Sequence, residues 1–192
     1  MTTEPAEEQL APGSSAAQAQ AQPGPRGIGT GVVFDWALVV QILIDGVFYA
    51  LGTGPGSAMA GKPLGLRLAI VPLTLLAAAI VFTQGEALRR GRRVAWIIQI
   101  VANALLVIDG LIGIPGTIMS LGKLRFGDLS YTIVLVIISP LIVWFLTRPS
   151  TRAWIASTTS AEARARHGGS WLLWIVVWAV IGGAAIAFAG YY

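Results

Sequence analysis

The chain has 192 residues, of which 55% are hydrophobic and only 11% are charged, whereas a typical soluble domain carries about 25% charged residues. A soluble domain of this length has too much surface per unit volume to hide such an apolar composition. The chain contains no cysteine, which excludes disulfides, thiolate metal sites and cysteine nucleophiles. The formal net charge of +4 comes from arginines in short loops rather than from a basic domain, so we expect no nucleic-acid partner.

Residues 1–31 are rich in Ala, Gln, Pro and Gly and contain no aromatic residue. Such a segment cannot bury enough apolar surface to offset the entropy of ordering it. It also lacks the basic start and the apolar core of a secretory signal. We therefore predict a disordered tail over residues 1–31, followed by a single transmembrane domain over residues 32–192.

Five apolar runs follow the tail, and each approaches the roughly 20 residues that a helix needs to cross about 30 Å of hydrocarbon. Lipid offers no water to satisfy an open backbone, so the predicted fold is an all-α integral membrane protein with about five transmembrane helices. Pro72 and Pro140 lie inside the second and fourth runs and predict kinks there. The runs cover residues 32–51, 64–83, 94–114, 129–147 and 171–190.

The loops differ in positive charge, and this difference predicts the orientation of the helices. The first and third loops, counted with the helix ends, carry Lys62, Arg67, Lys123 and Arg125. The second and fourth loops carry Arg89, Arg90, Arg92, Arg93, Arg148, Arg152, Arg164 and Arg166. Because cytoplasmic loops carry the excess of lysine and arginine, we predict a cell-membrane protein with its N-terminus in the cytoplasm and its C-terminus outside.

Two segments of the chain resemble each other. Residues 43–52 read LIDGVFYALG, residues 107–116 read VIDGLIGIPG, and each segment precedes a loop that contains Gly-Lys. The apolar run after each loop ends in arginines followed by Ala-Trp. The first four helices are therefore predicted to be two parallel copies of one hairpin, with the fifth helix as an addition. The alternative is chance similarity between short apolar and glycine-rich words.

Three aspartates lie within the predicted helices, where a charged side chain costs about 2.5–3.5 kcal/mol. Asp35 is predicted to lie near the cytoplasmic start of its helix, where the helix dipole and nearby arginines favour a negative charge. Asp45 and Asp109 are predicted at similar depth in the outer third of the first and third helices. Gln41, Asp45 and Tyr49 recur at four-residue spacing and therefore lie on one face of the first helix, as a polar stripe. The candidate polar site comprises Asp45, Asp109, Arg67, Gln41 and Tyr49.

Three interpretations of Asp45 and Asp109 remain open. In the first, each aspartate pairs with a cation of its own hairpin: Asp45 with Arg67 or Lys62, and Asp109 with Arg125 or Lys123. In the second, the two carboxylates face a central path for a cation or a proton. In the third, the helices end near both aspartates, which then face water outside.

The fifth helix carries bulky residues on its first half and small residues on its second half along one face. At 100° per residue, the members of this stripe fall within roughly an 80° arc. They are Trp171, Trp174, Trp178, Gly182, Ala185 and Ala189. Small residues let membrane helices approach closely, so we predict that the stripe packs against the other four helices or against another subunit. The alternative is a coincidental lipid-facing pattern.

The sequence offers little support for catalysis, and we expect no enzyme, cofactor or metal. His167, the only histidine, follows an arginine cluster in HGGS and is predicted to be a solvated loop residue. The leading prediction is a non-enzymatic accessory or scaffold subunit of a membrane assembly, with the bilayer and a larger complex or a second copy as partners. The alternative is a small transporter or channel component that moves a proton or cation using Asp45 and Asp109. A sensor that uses the N-terminal tail is a third possibility.

Overall fold

The computed structural model describes residues 25–53, 59–121 and 126–190, and the regular structure in these ranges is entirely helical. Residues 1–24 of the predicted tail lie outside the described residues. The elements are α1 (Arg26–Leu51), α2 (Leu64–Leu68), α3 (Ile70–Arg89), α4 (Arg93–Leu121), α5 (Phe126–Ile133), a π-helical segment (Val134–Ile138), α6 (Ser139–Thr147), α7 (Pro149–Ser157), α8 (Ser160–Arg166) and α9 (Ser170–Ala189).

Five stretches of helix are long and apolar enough to span a membrane, which confirms the prediction of an all-helical fold built on five apolar runs. They are Gly27–Leu51, Leu64–Arg89, Arg93–Met119, Leu129–Thr147 and Ser170–Ala189. The largest differences lie at three ends. The first helix begins earlier than residue 32, the second stretch continues to Arg89, and α4 continues beyond residue 114 to Leu121.

Three glycines explain why α1 begins at Arg26, inside the segment predicted to be a tail. A Cβ atom on Gly27 would lie 2.6 Å from the carbonyl oxygen of Phe145 on α6, and one on Gly31 would lie 2.8 Å from the Leu88 side chain on α3. Gly29 faces Trp171 of α9. Small residues permit this close helix packing, so the low intrinsic helix propensity of glycine is overridden by tertiary contacts.

Each of the two prolines named above follows an irregular point of its helix. Pro72 is the third residue of α3, where a missing N–H leaves no helical hydrogen bond unmade; the break lies before it, at Ala69. Pro140 falls in the first turn of α6, directly after the π-helical segment. The wider π turn accommodates the missing donor, as such segments often do at irregular points of long helices.

The helix α1 is the centre of the packing. It lies along both α3 and α9 and also contacts α6, while α4 packs against α5, the π-helical segment and α6. The ends that carry the arginines meet at one side of the bundle, which we call the arginine-rich end. The fully buried apolar side chains lie towards this end: Ile28, Val32, Leu88, Ile142 and Leu146. Towards the opposite end large apolar side chains are exposed, as Leu73 and Ile112 are.

The surroundings of Gly27 on α1 and of Gly113 on α4 predict different effects for two Gly→Ala substitutions. Gly27→Ala should lower the free energy of unfolding by about 1–3 kcal/mol, because the added methyl collides with backbone of α6. Gly113→Ala should be neutral or stabilising by up to about 1 kcal/mol, because nothing lies within 4 Å of its Cβ position and alanine is the better helix former. Thermal unfolding of both variants in the same detergent measures the difference; equal stabilities would contradict the packing described here.

Candidate functional site

Asp45 is partly buried on α1, and the side chain of Gln41 interacts with it from one turn earlier. Among the described residues no basic side chain lies within 4.0 Å of Asp45. Arg67 instead donates from Nη1 to the carbonyl oxygen of Leu51 at 2.7 Å, where α1 ends. Tyr49 follows one turn further along α1 and is partly exposed. The ion pair between Asp45 and Arg67 is therefore not formed in this structure.

Asp109 is exposed and has a different set of neighbours. Tyr131 of α5 donates its hydroxyl to Oδ2 of Asp109 at 3.1 Å. Both residues line a cleft of about 400 Å³ between α4 and α5, in which the hydroxyls of Thr117 and Thr132 lie 2.6 Å apart. Lys123 and Arg125, the predicted cationic partners, lie outside the described residues. No described contact joins Asp109 to Asp45.

A third aspartate, Asp35, lies at the centre of the buried polar groups. It is only 4% exposed, and Nε2 of Gln99 on α4 donates to its Oδ1 at 2.7 Å. Gln84 of α3 donates to Oε1 of Gln99 at 3.3 Å and to the carbonyl oxygen of Ala95 at 2.8 Å. The bonds from Gln84 to Gln99 and from Gln99 to Asp35 connect α3, α4 and α1 through side chains.

Asn103, one turn beyond Gln99 on the same face of α4, completes this arrangement. It is 1% exposed, and its Nδ2 donates to the carbonyl oxygen of Gln99 at 2.9 Å. Asp35 Oδ2 and Asn103 Oδ1 are buried and have no hydrogen-bond partner among the described residues. We refer to Asp35, Gln84, Gln99 and Asn103 as the polar cluster.

Asp35 was predicted to lie near the start of its helix, and it lies further along the helix than the predicted start at residue 32 implied. Because α1 begins at Arg26, Asp35 lies nine residues into the helix, about 13 Å along its axis. Close approach of α3 buries it: a Cβ atom on Gly85 would lie 3.0 Å from Asp35 Cβ. A sequence signal for the cluster exists in Gln99 and Asn103, two amides at i and i+4 in an otherwise apolar run.

His167 is fully buried, so the prediction of a solvated loop residue was wrong. Its ring stacks on Trp171 at 4.2 Å between centroids and lies 5.1 Å from the ring of Trp154 on α7. Its Nδ1 lies 3.0 Å from the carbonyl oxygen of Arg89, and Arg89 Nη1 donates to the carbonyl oxygen of His167 at 2.9 Å. These reciprocal bonds attach the start of α9 to the end of α3.

Glu86 holds the arginine of this junction in place. Its carboxylate accepts from Nε and Nη2 of Arg89, at 2.6 and 2.8 Å, and from Nε of Arg90 at 2.6 Å. Burial lowers the pKa of His167 below its usual value. The acceptor oxygen of Arg89 opposes this shift, whereas the charges of Arg89 and Arg166 add to it. His167 is therefore held in its neutral form at the arginine-rich end.

The face of α9 that packs against α1 lies beside the predicted stripe. Its buried residues are Ile175, Ala179, Gly183 and Ala187. Within the stripe, Trp171 packs on His167, but Trp174 and Trp178 are 62% and 58% exposed. An apolar groove of about 480 Å³ runs between α9, α1 and the stretch from α5 to α6. The stripe residues that line it are Trp178, Gly182, Ala185 and Ala189.

No protein-family model, no curated protein and no solved structure matches this chain. Among the described residues no group of three or more His, Asp or Glu side chains is arranged to hold a metal ion. The candidate functional features are therefore the polar cluster, the His167 junction and the groove beside α9.

The buried neutral histidine predicts that the junction weakens in acid. In the unfolded chain His167 titrates near a pKa of about 6.5, whereas burial lowers that pKa in the folded chain. The unfolded state therefore binds more protons as the pH falls, and stability decreases below about pH 6.5, by at most about 1.4 kcal/mol per pH unit. Thermal unfolding of the wild type should show this decrease between about pH 7.5 and 5.5.

His167→Phe keeps an aromatic ring against Trp171 but cannot bind a proton, so its stability should be lower at neutral pH and should no longer fall as the pH is lowered over the same range. Glu162→Gln is the control, because Glu162 is exposed on α8 and its carboxylate accepts a hydrogen bond from the backbone N–H of Thr159, which glutamine can also accept. This variant should keep the slope of the wild type. A His167→Phe protein with the wild-type slope would show that another group is responsible.

Proposed function

We propose that the chain is a multi-pass membrane protein with its arginine-rich end in the cytoplasm. Support comes from the five long apolar helices and from large apolar side chains that face outwards along them, such as Leu73 and Ile112. Burying such surface in lipid is favourable, whereas water would penalise it. Arginines lie at the end where α3 meets α4 and where α7 and α8 lie, as the positive-inside rule requires.

This orientation predicts which single cysteines react with a membrane-impermeant thiol reagent in intact cells. A cysteine at Ser160, exposed at the start of α8, should be protected until the membrane is permeabilised. A cysteine at Ala60, exposed before α2, should react at once. The chain has no native cysteine, so the unmodified protein is the blank. Labelling of Ser160→Cys but not of Ala60→Cys in intact cells would show that the orientation is the opposite of the one proposed.

We also propose that α1 to α3 and α4 to α6 are two parallel copies of one hairpin. When Asp45 is aligned with Asp109, Asp35 aligns with Gln99, because Asp35 lies ten residues before Asp45 and Gln99 lies ten residues before Asp109. These two residues are hydrogen-bonded to each other. Equivalent residues of two copies touch directly only near the axis that relates the copies, so this bond supports a parallel repeat.

The glycines after the two aspartates support the same relationship. A Cβ atom on Gly46 would collide with Thr74 of α3, and one on Gly110 would collide with Leu135 of the π-helical segment. Thr74 and Leu135 each lie twelve residues after the lysine of a Gly-Lys pair. A close contact between helices thus occurs at the equivalent position in both hairpins, as a duplication would require.

The function that the geometry supports best is that of a non-enzymatic accessory or scaffold subunit of a membrane assembly. The observation that carries this proposal is the unpacked face of α9, with Trp174 and Trp178 exposed beside an apolar groove. Interfacial anchoring explains tryptophans near the end of a helix. Trp178 lies eight residues into α9, about 12 Å along its axis, which is deeper than such anchoring explains. We propose that a transmembrane helix of a partner subunit packs there.

Substitutions at the adjacent residues Gly182 and Gly183 distinguish an effect on partner binding from an effect on the stability of the chain. A Cβ atom on Gly182 would lie 3.7 Å from Ala37 Cβ, an ordinary contact. Gly182→Leu should therefore change the free energy of unfolding by less than about 1 kcal/mol. Its side chain would enter the groove and should remove a partner that co-purifies with the wild type in mild detergent.

Gly183→Leu should do the reverse, because its Cβ would collide with the carbonyl oxygen of Ala37 and lie 2.7 Å from Val40 Cβ. We expect it to lower the stability of the chain itself by about 1–3 kcal/mol. Val180→Leu, at an exposed position of the same helix, should affect neither property. If the wild type purifies alone, or Gly182→Leu retains its partner at wild-type stoichiometry, the groove is not the docking surface.

A transporter or channel component remains the second candidate. Asp45 and Asp109 have separate partners, Gln41 and Tyr131, so nothing in their geometry favours a shared path. A different observation favours this candidate: Asp35 is buried between the two hairpins without a basic partner within 4.0 Å among the described residues. Ionisable residues inside membrane bundles frequently mark ion or proton pathways.

A further inference from the structure

We propose that the polar cluster is a binding site for one monovalent cation, a proton or a sodium ion, held by the carboxylate of Asp35 and the amide oxygen of Asn103. The proposal needs α1 and α4 to lie in a membrane but needs no transport, because binding is an equilibrium property. It therefore stands whether the chain serves as an accessory subunit or as a transporter.

The direction of the hydrogen bonds determines which atoms are left to bind a ligand. Asn103 Nδ2 donates to the carbonyl oxygen of Gln99, which can only accept, so the other amide atom of Asn103 is its oxygen. Gln84 donates to Oε1 of Gln99, and Nε2 of Gln99 donates to Oδ1 of Asp35. The chain of donors runs one way and ends at the carboxylate.

Two buried atoms of the polar cluster have no partner among the described residues, Asp35 Oδ2 and Asn103 Oδ1, and both are acceptors. Asn103 lies one helical turn from Gln99, and the side chain of Gln99 is bonded to Asp35, so both residues border the same face of α4. A ligand for these atoms must carry a positive charge or donate a hydrogen bond. An anion would be repelled. Hard cations prefer carboxylate and amide oxygens.

The charges around Asp35 do not neutralise it. On α3 the nearest ionisable residue in sequence to Gly85 is Glu86, which is already bound to Arg89 and Arg90. On α4 the ionisable residues are Arg93 at its first position and Asp109 ten residues beyond Gln99. The sequences of α6 and α9 contain no ionisable residue. An ionised Asp35 therefore lacks a counter-ion among the described groups, and a bound cation would supply it.

Occupancy of the site should stabilise the packing of the two hairpins, because the cluster connects α1 and α3 of one with α4 of the other. A ligand that binds only the folded chain raises its unfolding temperature in proportion to the logarithm of ligand concentration above the dissociation constant. Cation binding is thus measurable as a saturable rise in unfolding temperature without any assay of transport.

The experiment uses the full chain in lipid nanodiscs, with His167→Phe as the background so that the histidine does not contribute to the pH dependence. In the sodium arm, NaCl replaces choline chloride at constant ionic strength and alkaline pH. In the proton arm, the pH is lowered in choline chloride without sodium. We expect the unfolding temperature to rise in one of these arms, which identifies the cation.

Asp35→Asn should abolish the rise, and Asp45→Asn, which changes a carboxylate outside the cluster, should retain it. Asn103→Leu removes the second oxygen and should raise the concentration for half-maximal stabilisation by about tenfold or more; it also serves as the test if Asp35→Asn does not fold. Direct equilibrium binding of radioactive sodium to the background protein provides an independent measurement. A rise in neither arm, or a rise that survives both Asp35→Asn and Asn103→Leu, overturns the proposal.

Discussion

The fold depends on how closely three helices approach the first turns of α1. Glycine occurs at every second position from Gly27 to Gly31, and each glycine faces a different neighbour: α6, α9 and α3. Alternate positions on a helix differ by 200°, so Gly29 lies on the side opposite to Gly27 and Gly31. Gly27 and Gly31 lie within about 40° of each other but one turn apart along the axis, so the glycines open two sides of α1 and one of those sides at two levels. Lipid removes the hydrophobic incentive for apolar helices to associate, and close van der Waals packing takes its place. The fully buried Ile28 and Val32 lie among these contacts.

The same close packing creates the two buried polar features. Asp35 loses contact with solvent because α3 approaches α1 at Gly85, and its carboxylate is then limited to a side chain of α4. His167 is enclosed where α9 meets the end of α3, between Trp154 and Trp171. Both groups lie towards the arginine-rich end, where the fully buried apolar side chains also lie. Polar residues buried in this way specify which helices meet, because a mispacked arrangement would leave them without partners.

The sequence predicts the number and the approximate limits of the five helices, because long apolar runs are a property of composition and length alone. It does not predict the start of α1, because glycine disfavours an isolated helix. Only the contacts of Gly27 and Gly31 with neighbouring helices show why glycine occurs there. The sequence also predicted the polar site around Asp45 and Asp109 rather than around Asp35, because tertiary contacts decide which aspartate is buried. Depth along a helix was inferred for Asp35 and Asp45 from predicted helix ends, whereas burial depends on which neighbour approaches, and no local pattern contains that information.

The two hairpins differ at the end opposite the arginines. A cleft of about 250 Å³ at Gly46 is lined almost entirely by apolar groups, whereas the corresponding cleft at Gly110 contains Asp109 and Tyr131. The first hairpin is also covered there by α9, whose Phe188 meets Phe48 at 5.9 Å between ring centroids. If the hairpins arose by duplication, the added α9 covers this end of the first copy, whereas no described residue of α9 lines the cleft at Gly110 in the second copy. Of the two aspartates that the sequence pairs, Asp109 is therefore the one that a molecule arriving from that side can reach.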